Sequence, residues 1–479
     1  MSISAEIARY GRPIRAVAVI FTALLIAING FSQSTLDPTS TVTVSTTGTT
    51  NDQPITLQRS IEIALEQNPL RKIALADEKT ALAGVKQAQS MLLPHIGFSE
   101  TATLGNDPVY VFGTKLRQQR FAAADFALNQ LNRPTPLGNF SSRFGGEWNI
   151  FDSLANWRNV SRTRLIEQAA SQQLKRTDQE LVFRVVQAYY GLLLAQKRLD
   201  VAEQSNTTAQ SVLEQVKNRF DSGLVVESDF LSAQVSAAMR RQELIRARNA
   251  VNIAQTEFRV ALGITTPISF KPTQELKEGR PPIAALNDLE STALNTRPDL
   301  KQIRLQESAQ QQSVSMAKAS FGPKLNAFAS WGTDTANVFS NGGNNWIGGL
   351  ELKIDLFSGG ALKANLSQQR AMHERVVATR QAFENQVRLE IGRAFYDVES
   401  ACEQVEVSRA ASAQAQESVR INRNRYDSGL ATITDLLQIQ QAMTQAQTNY
   451  WNAVYQCRIS YANLQLASGT LNQKSLVNP

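Results

Sequence analysis

One stretch of this 479-residue chain occurs twice, and that constrains the fold more than any other feature. Arg425-Tyr426-Asp427-Ser428-Gly429-Leu430 repeats Arg219-Phe220-Asp221-Ser222-Gly223-Leu224 at an offset of 206 (426 minus 220). The same offset pairs Phe151 with Phe357 and Leu262 with Ser468. Further upstream, Asn68-Pro69 faces Arg297-Pro298 and Pro94 faces Pro323, both at an offset of 229 (323 minus 94). The chain is therefore an internal duplication, and its first half carries about 23 extra residues between Pro94 and Phe151.

Each half reads as helix, two strands, helix, helix. The first has helix from Leu57 to about Met91, strands from Pro94 to Phe151, helix to Phe220 and helix to Leu262. The second has helix from Leu286 to Ser320, strands from Pro323 to Phe357, helix to Tyr426 and helix to Ala467. A helix of about 67 residues is roughly 100 Å long, which no compact globule accommodates. The shorter helix leaving each turn, stacked end to end with the opening helix of the other half, matches that length to within about 10 Å. Each repeat would then hold its turn at one end and its strands at the other. Leu436, Met443, Tyr450, Cys457 and Leu464 recur at every seventh position, as a coiled-coil seam does. Heptads alone are equally compatible with a soluble bundle.

The strands decide between these. Phe140, Ser142, Phe144, Gly146, Trp148 and Ile150 alternate with polar or small residues, as do Trp346, Gly348, Leu350, Leu352 and Ile354, where only Ile347 strays; Leu325, Ala327, Ala329 and Trp331 continue the pattern. Stretches of about ten residues with one apolar face and terminal Trp are the signature of a membrane β-barrel, and Trp148, Trp331 and Trp346 are its candidate interface aromatics. Four strands cannot close a barrel, and an open sheet edge is not tolerated in lipid. Several chains must contribute.

The start of the chain predicts export. Arg9, Arg12 and Arg15 precede an apolar run from Ala16 to Ile28, which reads as a signal peptide over 1–34 cleaved between Ala27 and Ser34. Residues 35–54 read as a flexible polar leader, 55–263 and 286–469 as the two repeats, 264–285 as the linker between them and 470–479 as a tail. The formal charge of +7 comes from Lys and Arg interspersed with Asp and Glu, which suits solvated helix faces rather than a nucleic-acid stripe. Two His and two Cys supply no metal cluster, and His95 and His373 assemble no acid-base constellation, so neither a cofactor nor an enzyme is expected. Cys402 and Cys457 lie 27 and 28 residues from Gly429 (429 minus 402, 457 minus 429). In an antiparallel hairpin they stand nearly level, either bonded in an oxidising compartment or reduced as small core residues.

The signal peptide, the doubled plan, the Asn68-Pro69 and Arg297-Pro298-Asp299-Leu300 openings, Asp355-Leu356-Phe357-Ser358-Gly359-Gly360 and the two Gly-Leu turns together resemble the TolC-type outer-membrane efflux family. The resemblance implies a mainly α fold with a membrane part: a homotrimer with a 12-stranded β-barrel on a long periplasmic α-helical barrel. It implies a passive exit duct, without catalysis, in the outer membrane of a Gram-negative bacterium, docked to an inner-membrane pump through a periplasmic adaptor. By the same resemblance Asp229, Tyr426 and Asp435 belong to a gate at the periplasmic mouth. Gly223, Leu224, Gly429 and Leu430 form the tips where the adaptor docks. Ala431 and Gln438 depart from the family pattern, standing where its best-known member has an arginine and a second aspartate. A local role in helix capping is open to Asp229 and Asp435 as well. The alternative fold and function is a secreted or surface coiled-coil structural protein, which leaves the alternating strands unexplained.

Overall fold

A computed structural model describes residues 53–279, 281–337 and 342–472. The signal peptide, the leader as far as residue 52 and the last seven residues of the tail lie outside the described residues. The chain divides into two compact units.

The larger unit takes in the described residues from 53 to Val85, Ser161–Gln312 and those from Gln368 to 472, and is built mainly from helices. Its opening helices break where the sequence suggests continuity. Instead of one helix from Leu57 to Met91 there are α1 (Leu57–Gln67) and α2 (Pro69–Ser90). In the second repeat α7 (Leu286–Thr296) and α8 (Pro298–Ala319) replace the single helix expected to Ser320. The cause is proline, which forces the preceding residue out of the helical region: Asn68 has ψ 129° and Arg297 ψ 123°.

The long helices α5 (Ala155–Asp221) and α9 (Ala361–Asp427) have 67 residues each, and α6 (Glu227–Leu262) and α10 (Ile433–Ala467) return from them. Duplication is visible atom by atom where these returning helices end. Gly263 and Gly469, 206 residues apart, adopt the left-handed conformation with φ of 78° and 73°. A side chain on Gly263 would meet the backbone of Asn68 at 2.7 Å, and one on Gly469 would meet Arg297 at 3.0 Å. In return the Asn68 amide donates to the Ala261 carbonyl at 2.9 Å and the Arg297 guanidinium to the Ala467 carbonyl at 3.1 Å. Each pre-proline residue thus satisfies an orphan carbonyl at a helix C-terminus.

Arg297 is 2 % exposed. It forks onto Asp299 through Nε and Nη2 at 3.1 and 2.7 Å and reaches Glu390 at 2.8 Å. Burial pushes the Asp299 carboxyl up, but the Arg297 hydrogen bonds and the charges of Arg176 and Arg297 outweigh it and hold it below its ordinary value.

Cys402 and Cys457 form a disulfide, with Cα atoms 4.8 Å apart. The level positions are thus bonded, not occupied by two reduced core residues. The linker between the repeats crosses this staple. Glu278 accepts from Arg409 of α9 at 3.1 Å and from the Tyr450 hydroxyl of α10, while Arg458 donates to the Lys277 carbonyl at 3.2 Å. Burial and the Glu278 carboxylate push the Tyr450 phenol up to about 12. A two-stranded parallel sheet, β1 (Gln53–Ile55) with β4 (Phe270–Pro272), lies in the same unit. Two residues assigned to the flexible leader therefore belong to a strand.

The smaller unit takes in Lys86–Val160 and Ser313–Ser367. Its sheet runs β2-β3-β5-β6, all antiparallel: β2 is His95–Gly105, β3 Leu137–Phe151, β5 Lys324–Thr335 and β6 Gly343–Lys353. The register brings most of the apolar positions of the four strands onto one face, with Phe328 and Ile347 on the other. Phe98 opposes Phe144, Phe144 opposes Trp331 and Trp331 opposes Trp346, making one aromatic row across the sheet. On one side of it, on the same face, come Ile96, Gly146, Ala329 and Gly348, then Trp148, Ala327 and Leu350. On its other side lies the polar row Glu100, Ser142, Thr333 and Asn344. The edge strands β2 and β6 have no partner on their outer sides among the described residues.

The extra residues of the first repeat, expected between Pro94 and Phe151 in a stretch read as strands, lie between β2 and β3. They fold as α3 (Pro108–Arg117), a short 3-10 turn at Ala123–Phe126 and α4 (Leu128–Asn132). Asp107 caps α3 by accepting from the Tyr110 amide at 2.8 Å, and Pro108 occupies its first turn.

Candidate functional site at the two turns

Both long helices end in the same way. The Gly223 amide reaches the Phe220 carbonyl and the Leu224 amide the Arg219 carbonyl, both at 2.8 Å; Gly429 and Leu430 make the matching bonds to Tyr426 and Arg425 at 3.0 and 2.7 Å. This is the Schellman arrangement, and it needs a left-handed residue, with φ 72° at Gly223 and 75° at Gly429. No neighbour crowds either glycine, so backbone conformation and not space selects them. Leu224 and Leu430, one residue on, are 75 % and 71 % exposed, which leaves an apolar side chain in solvent at each tip.

Beneath the turns, Val212 and Val216 of α5, Ala233 of α6, Tyr426 of α9, and Ile433 and Leu436 of α10 form a separate buried cluster. The equivalent aromatics do different work. Phe220 stacks on Phe230 at 5.3 Å, nearly parallel. Tyr426, 206 positions on, instead lies under the Arg219 guanidinium, 4.8 Å from the ring centre. Arg219 also pairs with Asp427 at 3.5 Å, and Asp427 accepts from Gln215 at 2.9 Å. Arg219, Asp427 and Gln215 were not singled out in sequence. Arg219 and Asp427 stand within the duplicated motif, which was the available signal, whereas nothing local marks Gln215.

Asp229 and Asp435 are equivalent by the repeat but not by chemistry. Asp435 accepts from the Thr432 amide at 3.1 Å and from the Thr432 hydroxyl at 2.7 Å, while Thr432 Oγ1 accepts from the Asp435 amide at 3.2 Å. This capping box, helped by the charge of Arg425, holds the exposed Asp435 carboxyl below its ordinary value. At the first turn the cap position is Val226, which has no acceptor, so Asp229 takes no part in a side-chain cap. The Tyr426 hydroxyl is buried and makes no hydrogen bond among the described residues. Tyr426 and Asp229, both assigned to the gate by the resemblance, are therefore not joined by a hydrogen bond from that hydroxyl in this structure. Burial pushes the Tyr426 phenol up, with Arg219 pulling against it and Asp229 and Asp427 adding to it. Trp148, Trp331 and Trp346 lie in the sheet, on its apolar face, at 43 %, 50 % and 80 % exposure.

Comparison with known proteins agrees with this geometry. The family model described as "Outer membrane efflux protein" matches residues 60–264 and 289–470, the two repeats in turn. Outer membrane protein TolC of Escherichia coli is 25 % identical over 430 residues, covering 86 % of this chain and 81 % of that protein. Alkaline protease secretion protein AprF of Pseudomonas aeruginosa is 24 % identical over 422 residues, 86 % of this chain and 84 % of the relative. Among solved structures, the Campylobacter jejuni CmeC outer membrane channel superposes with a TM-score of 0.74 at 17 % identity, over 88 % of both chains.

Proposed function

Because the chain belongs to the outer membrane efflux protein family, and so forms an exit duct in the outer membrane, we propose that it serves a tripartite efflux or type I secretion system as a homotrimer. Three sheets of four strands close a 12-stranded barrel in outer-membrane lipid, removing the open edges of β2 and β6. Residues 1–34 act as the export signal. The tips at Gly223, Leu224, Gly429 and Leu430 offer exposed leucines to a periplasmic adaptor, which brings the inner-membrane pump. Asp229, Tyr426 and Asp435 form the periplasmic gate, and Arg219 supplies a guanidinium over Tyr426 although Ala431 cannot. The observation that carries this reading is the register of the sheet, which aligns most of the apolar positions of four strands on one face. A coiled-coil structural protein has no use for that face. Purified protein added to planar lipid bilayers should produce discrete conductance steps; an electrically silent membrane would defeat the duct.

Two results are expected. Replacing Asp435 with Ala should lower cation preference in such bilayers, because three symmetry-related carboxylates in a constriction focus negative potential. Unchanged selectivity would remove Asp435 from the gate. A cysteine in place of Asn132 should react with a small membrane-impermeant maleimide on intact cells, since bacterial barrels place their long connections at the outer end. Reaction only after permeabilisation would reverse the orientation.

A further inference from the structure

The insertion of the first repeat docks on the polar face of the sheet, opposite the aromatic row. Val111, Thr114 and Gln118, on one side of α3 and just past its end, are 3–4 % exposed. The Gln118 amide donates to the Gly138 carbonyl at 3.0 Å and to Asn139 Oδ1 at 2.8 Å. The Tyr110 hydroxyl reaches the carbonyls of Thr103 and Leu137 at 3.1 and 3.3 Å. Beneath lies a buried polar network: Asp334, 1 % exposed, accepts from Asn139 at 2.7 Å, from Asn345 at 3.3 Å and from Arg143 at 3.4 Å. Asn345 also donates to the Arg117 carbonyl at 3.4 Å. Gly343 makes the approach possible, since a Cβ there would lie 2.0 Å from that carbonyl oxygen.

The other side of the insertion is apolar and uncovered. Val109 is 80 % exposed, Leu116 50 %, Phe126 64 % and Leu128 77 %. Phe112, Phe121 and Phe126 pack edge to face at 4.9 and 5.1 Å, so this flank has a fixed shape of its own. A mobile external loop has no need of a capped helix seated on a buried aspartate.

We propose that this insertion is a second, outer constriction of the duct. This rests on the barrel reading, under which the apolar face of the sheet meets lipid and its polar face lines the lumen. On that wall α3 and the turns after it occupy lumen space beside the β2-β3 connection, and their uncovered flank faces the bore. Three copies about the axis form a hydrophobic ring, which resists water and ions by dewetting until cargo displaces it. The second repeat lacks the extra residues, so each chain contributes one such element.

The test uses a single engineered thiol, because Cys402 and Cys457 are consumed in their disulfide. Glu351→Cys lies on the polar face of β6 and Leu350→Cys on the apolar face. Intact cells are treated with a membrane-impermeant maleimide. Glu351→Cys should react slowly in the otherwise unchanged chain. It should react about tenfold faster when residues 107–134 are replaced by a short Gly-Asn turn, and faster again than the parent when Gly343→Leu pushes the helix off the wall. Equal rates in all three backgrounds would overturn the constriction and leave the duct intact. Reaction at Leu350→Cys but not at Glu351→Cys would instead overturn the assignment of lumen and lipid faces on which the proposal stands.

Discussion

Replacing Arg297 with Met should destabilise the protein by about 3–5 kcal/mol, the cost of removing one partner from a buried ion pair. The side chain is 2 % exposed and leaves behind Asp299, whose side chain is 15 % exposed, and Glu390 at 38 %. Glu390 can recover solvent and Asp299 keeps Arg176 at 3.5 Å, so the loss falls toward the lower end of that range. Packing adds to it, because the guanidinium lies 5.9 Å from the Phe383 ring centre and also satisfies the Ala467 carbonyl. Removing Asp299 as well should return part of the loss, as the two changes share one interaction. The pH dependence has a defined sign. A carboxyl held below its unfolded value contributes stability above the unfolded pKa, near 3.9, and that contribution fades as pH falls through the folded value. Acid unfolding of the Arg297→Met protein in detergent should accordingly be less steep than that of the parent, and identical acid profiles would show that the pair carries no such linkage.

Reduction of the Cys402–Cys457 disulfide should cost about 4 kcal/mol, the chain-entropy estimate for a closed loop of 55 residues. The loop contains the second turn, so the staple restrains the hairpin of α9 and α10. The sulfurs belong to residues 5 % and 3 % exposed, and Glu278 and Arg458 hold the linker across them. Reduction should thus need denaturant or long exposure to reductant. Thiol counting on denatured, unreduced protein should find none; two free thiols per chain would remove the staple and its contribution.

Much of the fold was legible because duplication carries its own check. A helix boundary or turn in one half could be tested against the other, so the 67-residue helices, the four strands and both Gly-Leu turns were readable. The failures have physical causes. Periodicity runs unbroken through Asn68-Pro69 and Arg297-Pro298, yet proline overrides it locally. The insertion has no strand alternation, and its helices are held by long-range bonds from Gln118 and Tyr110 that no local pattern announces. The spacing of the cysteines from Gly429 makes them level, but spacing alone does not decide whether two helices approach to 4.8 Å between Cα atoms. At the turns, equivalence by repeat suggested equivalent carboxylates. A single change at the cap position, Val226 against Thr432, commits Asp435 to its own helix and leaves Asp229 uncommitted.

The central claim is that one chain supplies a third of a membrane barrel. Native mass spectrometry of the detergent-purified protein measures this directly. A complex of three mature chains, lost when detergent is withdrawn, is the expected result. A stable monomer in detergent-free buffer would contradict it, because a sheet with two open edges and an exposed apolar face cannot then be the wall of a duct.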